Sequence, residues 1–172
     1  NFWKIQFFVK LSERYPNYLI NFIVSFLPDP EESKQELKDF YYLSLLKEQD
    51  GSFSIHGLWP QTTPDNYPTY CKKVQFDINK LNPIIKELNQ YWYSTQEKNQ
   101  DFWQHEWEKH GSCVWTSMTE LEYFENALKL FNSANEKGLP NIFYNSKTNK
   151  CLIPVDKDLN FIKFTYLEKY FF

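Results

Sequence analysis

The sequence predicts a mixed domain of helices and strands, and three observations predict it. Two short runs rich in aromatic and aliphatic residues, 40–46 and 52–58, flank the turn formers Gln49-Asp50-Gly51 and read as a pair of strands. Apolar residues recur at helical spacing over 77–93, 102–110 and 117–137. Two more short runs, 151–155 and 159–164, lie around Asp156-Lys157-Asp158 and read as strands. At 172 residues, 42% apolar and 20% aromatic with four glycines, the chain can bury a real core and is too apolar for disorder. No repeat or low-complexity stretch divides it, so one domain over 39–172 is expected, with residues 1–38 as an extension packing on or flanking it.

The elements follow in order. Residues 1–28 alternate aromatic and aliphatic groups with Lys4, Lys10, Glu13 and Arg14 and read as one or two helices. The apolar run from Tyr18 to Leu27 is about half of the roughly 18 residues a membrane span requires, so no span is expected. It also lies too deep, and lacks the small-residue cleavage site, for a standard signal peptide. Asp29-Pro30-Glu31-Glu32 offers an N-cap, a first-turn proline and favourable acids for a short helix to about Lys38. In the second strand, alternation puts Phe53, Ile55 and Gly57 on one face and Ser54, His56 and Leu58 on the other, and Trp59-Pro60 ends the strand. Residues 61–71 form a proline-punctuated loop ending in Cys71. The helix from Asp77 to Tyr93 carries Leu81, Ile84, Ile85, Leu88, Tyr91 and Trp92 as its apolar set, with Pro83 read as a helix start. Ser117-Met118-Thr119-Glu120 has capping-box spacing and opens the longest helix, to about Lys137. Leu121, Phe124, Leu128 and Phe131 form its buried stripe, and Gly138 stops it.

The chemistry is concentrated in Phe102-Trp-Gln-His-Glu-Trp-Glu-Lys-His-Gly-Ser-Cys113, which holds two of the three histidines. With residues placed at about 100° per position from His105, Lys109 falls at about 40°, Phe102 at about 60°, Glu106 at about 100° and His110 at about 140°. These groups therefore project from one side, while Trp103 and Trp107 point to the opposite flank and belong to the core. Gly111 is the expected left-handed terminator. Imidazole is the side chain that can serve as acid or base near neutrality, and a lysine can neutralise a pentacoordinate phosphate, so the cluster suits proton transfer on a phosphate ester. The competing reading is a zinc site, since His105-Glu106 opens like a His-Glu-x-x-His motif. The position of that motif's second histidine is taken by Lys109, and His110 comes one residue later, so no metal and no cofactor are expected.

The third histidine, His56, lies in Phe53-Ser-Ile-His-Gly-Leu-Trp-Pro60. A lone histidine in a strand is usually a hydrogen-bonded structural residue, and a Glu-Lys pair on a helix is usually a solvated surface pair. The net charge is −3 and Arg14 is the single arginine, so no general basic surface advertises nucleic-acid binding, and an RNA ligand would need a local site.

Together, Phe53–Pro60 and His105–Cys113 resemble the two active-site segments of the T2 ribonuclease family, the acid endoribonucleases of lysosomes, vacuoles and secretions. The helix from Phe76 to Trp92 and the tail around Asp156–Asn160 resemble the family more weakly. The resemblance implies an α+β fold, an antiparallel sheet carrying the first segment with helices packed on it. It implies His110 as general base, His56 as general acid, Lys109 and Glu106 as the pair steadying the phosphate, and His105 as a phosphate-binding residue. Trp59 and Phe102 would contact the bases. Cys71 and Cys113 match the family's bridge between the loop and the end of the active helix, while Cys151 has no partner in view. The implied substrate is single-stranded RNA, cut by a monomer through a 2′,3′-cyclic phosphate, with no DNA cleavage, and the implied location is secreted or lysosomal/vacuolar.

The chain also departs from the family. Leu46 reaches Phe53 without the usual longer, cysteine-containing loop, and only residues 138–150 separate the long helix from the last strands. Gln61 stands where some members carry an aspartate that recognises the base. The alternative reading is a non-catalytic RNA-binding or interaction protein that retains the site.

Overall fold

A computed structural model of the chain describes residues 37–162, of which Leu37–Phe161 form one compact unit. The helices read over 1–28 lie outside the described residues, as do most of the helix ending near Lys38 and the last two residues of the strand read over 159–164. Leu37 and Lys38 are described and are not helical.

Strand β1, Phe40–Lys47, and strand β2, Phe53–Gln61, pair antiparallel across a turn in which Gly51 has a φ of 87°. A 3-10 helix, Ile78–Ile84, runs into α1, Ile85–Tyr91, and α2 follows at Asn99–Lys109. The longest helix, α3, is Glu120–Glu136, followed by α4, Leu139–Phe143, then β3, Tyr144–Asn145, and β4, Lys150–Val155. Among the described residues the strands make one antiparallel sheet in the order β2-β1-β4-β3. This is the expected α+β arrangement, with helices packed on an antiparallel sheet.

The two faces of the sheet are built differently. Tyr41, Leu43, Leu45, Ile55, Leu58, Cys151, Ile153 and Val155 are essentially fully buried. The core they belong to also holds Tyr123, Phe124 and Ala127 of α3, and the Tyr123 hydroxyl donates to the Leu58 carbonyl at 2.9 Å. Each fully buried aliphatic or aromatic side chain contributes roughly 1.5–3 kcal/mol, so this face holds the domain together. The opposite face carries Tyr42, Trp59 and Leu152, which line the cleft described below.

Four sequence readings are corrected. Trp59-Pro60 does not end β2, which runs to Gln61; β2 is an edge strand, and a proline there costs no ladder bond on its open side. Strict alternation along β2 also fails: Ser44 pairs with Gly57 but Leu45 pairs with Ile55, so His56 is the extra residue of a β-bulge. The bulge resets the parity. Leu58 therefore joins Ile55 in the core, while His56 is freed for the cleft side. The capping box at the start of α3 is Thr119 with Glu122, not Ser117 with Glu120. Glu120 is committed elsewhere, its buried carboxylate accepting from the Asp77 backbone at 3.0 Å and pairing with Lys80 at 3.6 Å. Pro83 lies inside the 3-10 segment, and the α-helix proper starts two residues later.

Other readings stand with small shifts. Gly138 ends α3 with a φ of 68°, as a helix-stopping glycine should. On α3 the buried stripe is Tyr123, Phe124, Ala127, Leu128, Leu130, Phe131 and Ala134, with Leu121 only half-buried. The second of the two terminal strands contributes an isolated bridge, Val155 to Phe161, within the described residues.

Candidate active site

Two elements bring the chemistry together. On β2 the bulge aims His56 toward the cleft, and Trp59, three residues on, follows it. On α2 the helical spacing places Phe102, His105, Glu106 and Lys109 along the same cleft, and His110 caps the helix with its N–H on the Glu106 carbonyl at 2.9 Å. All seven residues expected at the site line one cleft of about 550 Å³.

The two segments are stitched by one hydrogen bond, from Trp59 Nε1 to Glu106 Oε2 at 2.8 Å. That approach explains Gly57, because a Cβ there would overlap both the Glu106 carboxylate and the Trp59 indole. The Trp59 ring contacts the imidazoles of both His56 and His110. It meets His56 edge-on at 5.0 Å between centroids and stacks on His110 at 5.2 Å with 26° between planes. Phe102 sits 5.6 Å from His56, and Tyr67 sits 6.2 Å from His110.

Burial is uneven across the cluster. Glu106 and His110 are each 2% exposed, whereas His56 and Lys109 are half-buried and His105 is exposed. Phe102, at 7%, is nearly covered and offers little area to a ligand. Burial raises the Glu106 carboxyl to about 7, against the lowering effects of the Trp59 hydrogen bond and the Lys109 charge. Burial, followed by the charges of Lys109, His105 and His56, pushes His110 down to about 3. The His110 Nδ1 has no hydrogen-bond partner among the described residues, which adds to the cost of charging that ring. His56 is held below the usual imidazole value first by burial, then by Lys109 and His105. Both imidazoles are thus neutral near neutral pH, beside a lysine and a carboxyl group raised to about 7.

The helix end is braced from outside. Cys71 and Cys113 form a disulfide, the Tyr70 N–H donates to the Lys109 carbonyl at 2.9 Å, and the Cys71 N–H donates to Ser112 Oγ at 3.0 Å. Gly111 is not the left-handed terminator expected of it. It opens a short 3-10 turn, Gly111–Cys113, and its lack of a side chain is needed because a Cβ would overlap the Trp107 ring. Trp103 and Trp107 are core residues as expected, donating to the carbonyls of Trp92 at 2.7 Å and Gln75 at 3.0 Å. Cys151 is unpaired and buried.

The cleft is wider than the sequence reading anticipated. Gln61, Asp65 and Tyr67 extend it past the end of β2, Glu97 borders it before α2, and Tyr42, Lys150 and Leu152 carry it across the sheet. Tyr67 lies in a loop that periodicity does not describe, and Lys150 joins the site only through the pairing of β4 with β1. Among the described residues no group of three or more His, Cys, Asp or Glu side chains is arranged to hold a metal ion.

A family model described as the Ribonuclease T2 family matches residues 30–141, more than half of the chain. Ribonuclease DdI of Dictyostelium discoideum is 38% identical over 86 residues, which is 49% of this chain and 39% of that protein. Extracellular ribonuclease LE of Solanum lycopersicum is 36% identical over 85 residues, 46% of this chain and 37% of that protein. Among solved structures, ribonuclease MC1 from the seeds of bitter gourd superposes with a TM-score of 0.51 at 30% identity, over 60% of this chain and 63% of its own. The chain spans about two fifths of the length of these two curated relatives.

Proposed function

This chain belongs to the ribonuclease T2 family, and from that premise we propose that it is a metal-independent endoribonuclease acting on single-stranded RNA. The observation that carries the reading is the single Trp59 ring in contact with both His56 and His110, in a cleft that Lys109 also lines. Two imidazoles held against one ring can address the two ends of one phosphodiester, with a cation in the same cleft for the developing charge.

His110 takes the proton of the ribose 2′-hydroxyl, and the 2′-oxygen forms a bond to phosphorus. The bond from phosphorus to the 5′-oxygen breaks, and His56 gives that oxygen its proton. Lys109 and Glu106 steady the pentacoordinate phosphate, with His105 on a phosphate oxygen. The first product is a 2′,3′-cyclic phosphate, which water opens with the histidine roles exchanged. DNA lacks the internal nucleophile and is not a substrate. Trp59, in contact with both imidazoles, is the ring on which a base can stack, while the nearly covered Phe102 packs against His56.

This assignment needs His110 neutral and His56 protonated at the same pH. His110 stays neutral down to about 3, and His56 carries its proton only below the usual imidazole range. Activity therefore belongs to an acidic window, lost on the alkaline side as His56 deprotonates and on the acid side as His110 protonates. An acidic optimum and a disulfide together suit secretion or a lysosomal or vacuolar compartment.

The test is incubation of the 172-residue chain with single-stranded RNA and a chelator, from about pH 3 to about pH 8. Fragments ending in cyclic phosphate are expected at acidic pH, with His56→Ala and His110→Ala each lowering the rate by about 10²–10⁴. Intact RNA in the presence of folded protein would favour a binding or interaction protein. Cleavage that stops on adding chelator would revive the zinc reading.

A further inference from the structure

The cleft does not end at the histidines. Residues paired across an antiparallel ladder point to the same face, and residues two apart along a strand do so too. Trp59 pairs with Tyr42, Tyr42 with Pro154, and Ser44 with Leu152, so Trp59, Tyr42 and Leu152 share the cleft face. Lys150, two residues before Leu152, lies on that face as well and lines the cleft. The register also fixes which end it occupies. Leu152 is level with Gly57, and Lys150 continues from there past His56, away from Trp59 and Gln61. Two strand spacings of about 4.8 Å separate β4 from β2, and a long flexible lysine stem shortens the remaining gap. One nucleotide with its two flanking phosphates can bridge that distance.

Charge argues for the same path. Among the described residues Lys109 and Lys150 are the two lysines lining the cleft, whereas two of its acids, Asp65 and Glu97, repel a phosphate chain. Asp65 follows Gln61, at the end opposite Lys150, and its charge acts on Tyr42; the Glu97 charge acts on Glu106. Lys150 itself is exposed and makes no ion pair among the described residues. Resting on the endoribonuclease reading, we infer that Lys150 forms a further phosphate subsite on the side of the departing nucleotide. It would hold the phosphate attached to that nucleotide's 3′-oxygen. The chain then favours an internal bond of an RNA strand, where a phosphate lies beyond the one that is cut.

Two substrates separate this subsite from the catalytic reading: a dinucleoside monophosphate, and the same dinucleotide bearing a 3′-terminal phosphate. The ratio of their kcat/KM values is measured for the full chain, for Lys150→Ala and for Lys150→Arg, with the melting temperature of each as a control for folding. The parent should favour the phosphorylated substrate by roughly two- to fivefold at low salt, as expected of a partly exposed ion contact. That preference should shrink as salt is added. It should fall to about one in Lys150→Ala and persist in Lys150→Arg. A parent that cuts both substrates equally, or a Lys150→Ala variant that keeps the preference, overturns the subsite and leaves the nuclease standing. Equal loss on both substrates in Lys150→Ala assigns Lys150 a structural role and overturns it too. Failure of the parent to cut either substrate removes the endoribonuclease reading and the subsite with it.

Discussion

Glu106 shows how much one buried residue can weigh. Its carboxyl is raised from 4.5 to about 7, so the folded protein holds that proton more tightly than the unfolded chain does. The stability this contributes is complete below about 4.5 and is lost as pH climbs through about 7, a swing on the order of 3 kcal/mol. His110 works in the opposite sense. Its value is lowered, so its contribution is present above 6.5 and is lost as pH falls toward about 3. Glu106→Gln keeps an oxygen to accept the Trp59 N–H while removing the titration. Its melting temperature relative to the parent should therefore rise between about pH 4.5 and about pH 7, the His110 contribution cancelling in the difference. Parallel curves across that range would show that Glu106 is solvated. The identity of the residue was legible in the sequence from its helical phase with His105 and Lys109. Its burial was not, because the covering groups, Gly57 and Trp59 among them, come from β2, about fifty residues earlier.

At the scale of elements, the helices were legible because each repeats its apolar residues at a period the backbone itself sets. The irregularities inside elements were not. Alternation predicts a regular β2, but a bulge is a property of the pair of strands and leaves no period in either one alone. Gly111 is the same kind of case. Its place after a helix suggests a left-handed cap, yet it has no positive φ and exists as glycine because the Trp107 ring lies where a side chain would begin. Gly111→Ala should consequently destabilise by about 1–3 kcal/mol through overpacking. Because His110 precedes it, RNA cleavage should also fall. Chemical denaturation of the purified variant checks the first effect, and a fully stable variant would mean that Trp107 can move aside. The capping box gives the complementary lesson. Two overlapping Ser/Thr-x-x-Glu patterns compete at 117–122, and the choice of Thr119 follows from Glu120 being held by Asp77 and Lys80 of a different segment.

Over the whole described unit, the sheet, the loop after β2 and the end of α2 are joined through the Cys71–Cys113 disulfide, which closes a sequence separation of 42 residues. Replacing both cysteines with serine should cost about 2–4 kcal/mol in urea denaturation. It should also weaken RNA cleavage, since the Tyr70-Cys71 backbone is fastened to Lys109 and Ser112 beside His110. Unchanged denaturation midpoints would assign that bracing to the hydrogen bonds alone. Cys151 offers the internal contrast: buried, unpaired and with its thiol pushed up to about 12, it should resist alkylation while the fold is intact. The sequence by itself determined the family, the mixture of helices and strands, and the residues of the cluster on α2, because motif identity and periodicity are local properties of a chain. Only the tertiary structure decided that His56 leaves the strand's alternation, that Glu106 and His110 are stripped of water, and that Lys150 enters the cleft. Each of these depends on strand register and on which distant surfaces meet, and no local stretch of sequence carries that information.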